Sequence, residues 1–244
     1  MVLALVVAAV WRRWHRTHSP QQQIALPALA NTNSRPSSAL VTNANDPALF
    51  LAWVSNRTDA AELLNLGTRF LDEGHIGQAI LCYRRALELK PEDEEACFNL
   101  GVAYARAGQL AEADGYYREA IKLFPEYVEA HNNLGNLLSR QRRYAEAVEE
   151  FNLALKLAPN DASAHNNLGR ALAEQGNPAA ALTHFIESAR LDTNYLEARF
   201  NLGNAYLAIG QTNAAAIAFQ EALRLRPDFI PAAKALSRLK GSLK

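Results

Sequence analysis

The 244-residue sequence predicts an all-α solenoid of five tandem helix-turn-helix units with a C-terminal capping helix. Three observations carry this. Leu-Gly pairs fall at Leu66-Gly67, Leu100-Gly101, Leu134-Gly135, Leu168-Gly169 and Leu202-Gly203, each 34 residues after the last. Two further columns keep the same phase. One is Ala79, Ala113, Ala147, Ala181 and Ala215; the other is aromatic, at Tyr83, Tyr117, Phe151, Phe185 and Phe219. A third column holds Pro91, Pro125, Pro159, Thr193 and Pro227. A fixed period of this size marks a stack of supersecondary units in place of one globular core. Numbered so that the Gly of each pair is position 8, the units run 60–93, 94–127, 128–161, 162–195 and 196–229.

The chain opens, over residues 1–16, with a short hydrophobic and basic segment. Residues 2–11 carry no charge, and Arg12, Arg13 and Arg16 follow. Ten helical residues span about 15 Å, half of a bilayer's roughly 30 Å of hydrocarbon. The leading reading is a membrane anchor, with a true start upstream of the written one. Flanking arginines then keep the array on the cytoplasmic side. Two other readings stay open: an organelle transit peptide, since residues 1–45 hold no Asp or Glu, and a start with no targeting role. Residues 17–45, rich in Ser, Asn, Gln, Pro and Ala without an apolar period, read as a flexible linker. Within 46–59, Asp46 and Pro47 form a helix-start signal, and Phe50, Leu51, Trp53 and Val54 need a surface to cover.

Each unit reads as two antiparallel helices, A and B. Gly at position 8 and Ala at position 20 lack bulk and let A approach B closely. The aromatic residue at position 24 supplies buried area between units. Gly74, Gly108, Gly176 and Gly210 break the A–B turn at position 15, where the third unit has Arg142. Proline at position 32 stops helix B. The fourth unit departs with Ser188 at position 27 and Thr193 at position 32, so slightly weaker packing is expected there. In 230–244, Ala233 and Leu236 are expected to cover the last unit as a capping helix, because an uncapped solenoid end is sticky.

This pattern resembles the tetratricopeptide repeat (TPR) over 170 of the 244 residues. The resemblance implies a right-handed superhelix with helix A lining a concave groove, and a role as a protein–protein interaction module. Positions 2, 5, 6, 9, 12 and 13 share a face of about 120° on helix A. Position 6 is Asn in every unit: Asn65, Asn99, Asn133, Asn167 and Asn201. Asn is a mediocre helix former, and its amide both donates and accepts, as an extended peptide backbone requires. The ladder is similar to that of the O-GlcNAc transferase TPR superhelix. Two other origins stay open: duplication of Asn-Leu-Gly with the repeat, and a link between adjacent units. Asn132, Asn136 and Asn166 enrich the expected groove in amides. Arg106, Arg140 and Arg170 add charge, and Phe98 and Phe200 add apolar contacts. The lysines with which chaperone-adaptor TPRs hold C-terminal tails are missing at positions 2 and 5, which argues against that partner.

The composition excludes several classes. Lys plus Arg and Asp plus Glu are both 25, so no strongly basic nucleic-acid footprint exists. Residues 1–59 hold five arginines and two aspartates, a net of +3, which leaves −3 on 60–244. Cys82 and Cys97 are too few for a disulfide scaffold and read as thiols. His131 and His165, both at position 4, read as core fillers without an acidic or Cys partner at ligand spacing. The run at Glu146–Glu150 reads as a solvated face. No phosphate loop, metal motif, cofactor motif or catalytic constellation emerges, and the expectation is a non-enzyme. The functional expectation is a membrane-tethered scaffold that binds an extended segment or helix in its groove. The alternative is a substrate-presenting accessory to a separately encoded enzyme such as a glycosyltransferase.

Overall fold

The computed structural model describes residues 47–242, so the readings on 1–16, 17–45 and Asp46 lie outside the described residues. Among the described residues there are twelve helices and no strand. Helix α1 (Pro47–Ser55) precedes five helix pairs and a final helix. The pairs are α2 (Ala60–Asp72) with α3 (Ile76–Leu89), α4 (Glu94–Arg106) with α5 (Leu110–Leu123), and α6 (Val128–Arg140) with α7 (Tyr144–Leu157). Then come α8 (Ala162–Glu174) with α9 (Pro178–Leu191), α10 (Leu196–Ala208) with α11 (Thr212–Leu225), and α12 (Ile230–Ser242). In every unit helix A spans positions 1–13 and helix B positions 17–30.

Local chemistry sets these bounds. Asp59, Asp93 and Asp161 stand at the N-caps of α2, α4 and α8, where their carboxylates accept first-turn N–H groups. At position 15 the chain adopts positive φ in every unit. Gly74, Gly108, Gly176 and Gly210 do so without a Cβ to strain, whereas Arg142 does so at φ 61°. In the fourth unit the Asp192 carboxylate accepts from Asn194 N–H at 2.9 Å, so an Asx turn replaces the missing proline. The expectation of weaker packing at Ser188 is not met. Its side chain is fully buried and its hydroxyl donates to Ala162 O at 2.7 Å, which ties helix B to helix A.

The core follows the recurring columns. A Cβ added to Gly135 would lie 2.7 Å from Phe151 Cε1, and the other four position-8 glycines meet the position-24 ring of their own unit in the same way. That ring also reaches onward: Tyr117 packs in one cluster with Leu134, Leu137 and Leu138 of the next unit. At the N-terminal end Phe50 and Val54 are buried, with the Phe50 ring edge-on to Phe70 at 5.3 Å, while Leu51 points outward. At the other end the register differs from expectation. Ala233 is exposed, and Ala232 and Leu239 are buried, with Ala235 and Leu236 beside them against Phe219 and Ala222. The buried stripe of α12 thus runs through Ala232, Ala235, Leu236 and Leu239 at helical spacing.

Candidate functional site

Successive A helices touch one another directly, while no pair of successive B helices makes a comparable contact. The A side is therefore the closely spaced side of the array, and two clefts open between its helices. The first, about 440 Å³, lies between units two and three. Val102, Ala105, Tyr117 and Leu137 form its apolar part, and Arg106, Asn133, Asn136 and Arg140 its polar part. The second, about 560 Å³, lies between units four and five, with Phe185 and Pro178 beside Arg170, Glu174, Asn201 and Asn204.

The position-6 asparagines divide into two kinds. Asn99, Asn133 and Asn167 are half-buried and make no side-chain hydrogen bond with any described residue, and Asn65 is exposed. Asn201 instead donates from Nδ2 to Asn166 Oδ1 of the preceding unit at 2.9 Å. One rung thus links adjacent units, while the others keep their amides open.

The expected groove residues at position 5 lie at the joint between units, against position 34. Asn132 Nδ2 donates to the Asp161 carboxylate at 3.0 Å, and Asn166 Nδ2 to Tyr195 Oη at 3.4 Å. The Phe98 ring sits 4.8 Å from that of Tyr127, and the Phe200 ring 5.3 Å from that of Phe229. Ring faces ring and amide faces polar group, so position 5 contributes to stacking the units. Aligning column 34 beside column 5 is the sequence signal that reveals this pairing.

The three arginines also differ. Arg106 Nη1 donates to Leu71 O at 2.9 Å, at the C-terminal end of the preceding helix A. Arg140 and Arg170 make no hydrogen bond or ion pair with any described residue. Burial pushes the Tyr117 phenol up to about 12, and the nearby positive charges of Arg106 and Arg140 oppose that rise.

Position 4 holds more polar chemistry than its spacing suggests. His131, 4% exposed, places Nδ1 2.7 Å from Glu150 Oε2 and Nε2 3.0 Å from Pro125 O. His131 is thus a buried core residue, and the reading of Glu150 as part of a solvated face is corrected: position 23 of helix B faces position 4 of helix A. In the next unit His165 Nε2 lies 3.1 Å from Pro159 O, and its Nδ1 lies 3.0 Å from Nδ1 of His184. The Glu150 hydrogen bond raises the His131 pKa, whereas burial, then the charge of His165, lowers that of His184. Cys82 and Cys97 are buried free thiols, each pushed up to about 12 by burial and so poor nucleophiles. Among the described residues no group of three or more His, Cys, Asp or Glu could hold a metal ion. No described helix is long and apolar enough to cross a membrane.

Comparison with known proteins agrees with this architecture. Models of the tetratricopeptide repeat match residues 126–194, 160–228 and 94–127, and a TPR repeat model matches 67–108. No curated protein sequence matches the chain. Among solved structures it is similar to YrrB, described as a TPR protein with an unusual peptide-binding site. The identity is 24% and the TM-score 0.64, over 76% of this chain and 96% of that one. It is also similar to MamA (residues 41 to the end) from Desulfovibrio magneticus RS-1, at 22% identity and TM-score 0.65, over 70% and 96% of the two chains. A third is pilF of Pseudomonas aeruginosa, at 24% and 0.60, over 76% and 90%. At these identities the likeness concerns the fold. With family models matched from residue 67 to residue 228, the chain belongs to the tetratricopeptide repeat family.

Proposed function

We propose that this protein is a non-catalytic scaffold whose A face binds an extended segment or helix of a partner protein. One observation carries the reading. Three consecutive A helices present Asn99, Asn133 and Asn167 at equivalent points, each with an amide that no described residue uses. A row of open donors and acceptors matches a peptide backbone, which offers both. The apolar parts of the two clefts receive side chains of the bound segment. Membrane tethering through residues 2–11 belongs to the same proposal. It rests on the uncharged run and the arginines behind it, with the array on the cytoplasmic side.

The test is crosslinking and pull-down with wild type against the triple variant Asn99→Ala, Asn133→Ala, Asn167→Ala. Net hydrogen bonds contribute about 0.5–1.5 kcal/mol each, so the triple variant should lose roughly 1.5–4.5 kcal/mol of partner affinity. Its melting temperature should hold, since the three amides have no internal partner and Ala is the better helix former. Undiminished partner recovery would reduce the row to a by-product of duplication. For the tether, full-length protein should sediment with membranes and a variant lacking residues 1–16 should not. Full-length protein left in the supernatant defeats the anchor.

A further inference from the structure

The two clefts on the A face differ in charge. The first is lined by the guanidinium groups of Arg106 and Arg140 and by the amides of Asn133 and Asn136, with no acid among its lining residues. Both arginines lie close enough to act on Tyr117, which also lines the cleft. Arg106 spends one N–H on Leu71 O, and Arg140 has none of its five engaged by a described residue. The second cleft balances Arg170 with Glu174. Along position 13 the units read Asp72, Arg106, Arg140, Glu174 and Ala208, so a cationic centre is flanked by acids.

Resting on the groove-binding reading above, we propose that the A face selects extended segments that carry one or two acidic side chains. These side chains enter the cleft between units two and three. There a carboxylate accepts charge-assisted hydrogen bonds from Arg140 and the remaining N–H groups of Arg106, with Asn133 and Asn136 donating beside it. Tyr117, Val102 and Leu137 supply the apolar part of the lining, which strengthens that pairing relative to open water. Asp72 and Glu174 limit the acidic stretch to the middle of the segment, because like charges facing them repel. The chain's own N-terminal 45 residues do not fit, since they hold arginines and no Asp or Glu. The occupant is a separate, acidic segment.

Selecting a displayed library of random dodecapeptides on the full-length protein tests this. Wild type should enrich peptides with Asp or Glu at one or two adjacent central positions. Selection on Arg140→Gln should still recover binders but without that enrichment. In fluorescence anisotropy, a selected peptide should bind about tenfold more weakly when its acids become Asn or Gln, and likewise to Arg140→Gln. Added salt should narrow both gaps. Arg140→Gln should melt like wild type, because Arg140 has no internal partner to lose. Peptides that show no acid preference yet depend on Asn99, Asn133 and Asn167 would overturn this inference and leave the groove reading standing. If wild type selects no peptide, both fall.

Discussion

Arg142 holds a left-handed backbone, φ 61°, at the turn position that glycine occupies in the other four units. A side chain in this region costs roughly 1–2 kcal/mol because Cβ crowds the following carbonyl. Arg142 is exposed at the turn. Arg142→Gly should therefore stabilise the protein by about 0.5–1 kcal/mol, the strain relief less the added freedom of the unfolded chain. Thermal or urea unfolding reads the change, and a lower midpoint would mean that the arginine makes a contact that outweighs the strain. The position-8 glycines are constrained in the opposite way, by space. With a bare Cβ already 2.7 Å from Phe151, Gly135→Leu should cost about 1–3 kcal/mol or more through overpacking. An unchanged unfolding midpoint would place the ring elsewhere.

At the scale of the helix pair, units three and four hold the same device with different partners. His131 meets Glu150, whereas His165 meets His184. The raised pKa of His131 makes its contribution to stability fully present below the unfolded value of about 6.5, and it is lost as pH rises through the folded value. His184 works in reverse. Its lowered pKa gives stability that is present above about 6.5 and lost as pH falls through the folded value. Glu150→Gln should therefore cost more at pH 6 than at pH 8.5, by about 1–3 kcal/mol for the lost charged hydrogen bond. Equal costs at the two pH values would show that His131 does not carry the proton. Conversely, His184→Glu should give unit four an acidic partner for His165 and raise its stability at pH 6, read as slower amide exchange in α8 and α9.

The helix pairs of the array and the turns between them were legible because they depend on residue types at a fixed period, above all the turn Gly and the stopping Pro. The partners across the pair were not. Glu150 lies 19 residues from His131, and only the way α7 crosses α6 brings them together. The same holds for position 5 against position 34, which lie 29 residues apart at the two ends of one unit. Of the expected groove residues, the period could place Asn99, Asn133 and Arg140 on one face. It could not show that Asn166 and Asn201 bond to each other, nor that Arg106 caps a neighbouring helix.

For the whole array, the substantial contacts run only within a unit and to the next one, so the stability of each unit depends on its neighbours. The last unit, like the first, has one repeat neighbour, and α12 takes the place of the next repeat. Ala232 and Leu239 of α12 join Phe219, Ala222 and Leu196 in one cluster, with the Phe200 and Phe229 rings at its edge. Removing residues 230–244 would bare the fully buried Phe219 side of unit five and leave an apolar patch at the solenoid end. The loss should be graded along the chain. Hydrogen exchange in α10 and α11 should accelerate strongly, α8 and α9 less, and α4 to α7 little, because no direct contact carries the change that far. Concentration-dependent association should accompany it, as the exposed end seeks a second copy. Uniform acceleration from α2 to α11 would instead mean that the units unfold as one cooperative block, and that nearest-neighbour coupling is strong enough to erase the gradient.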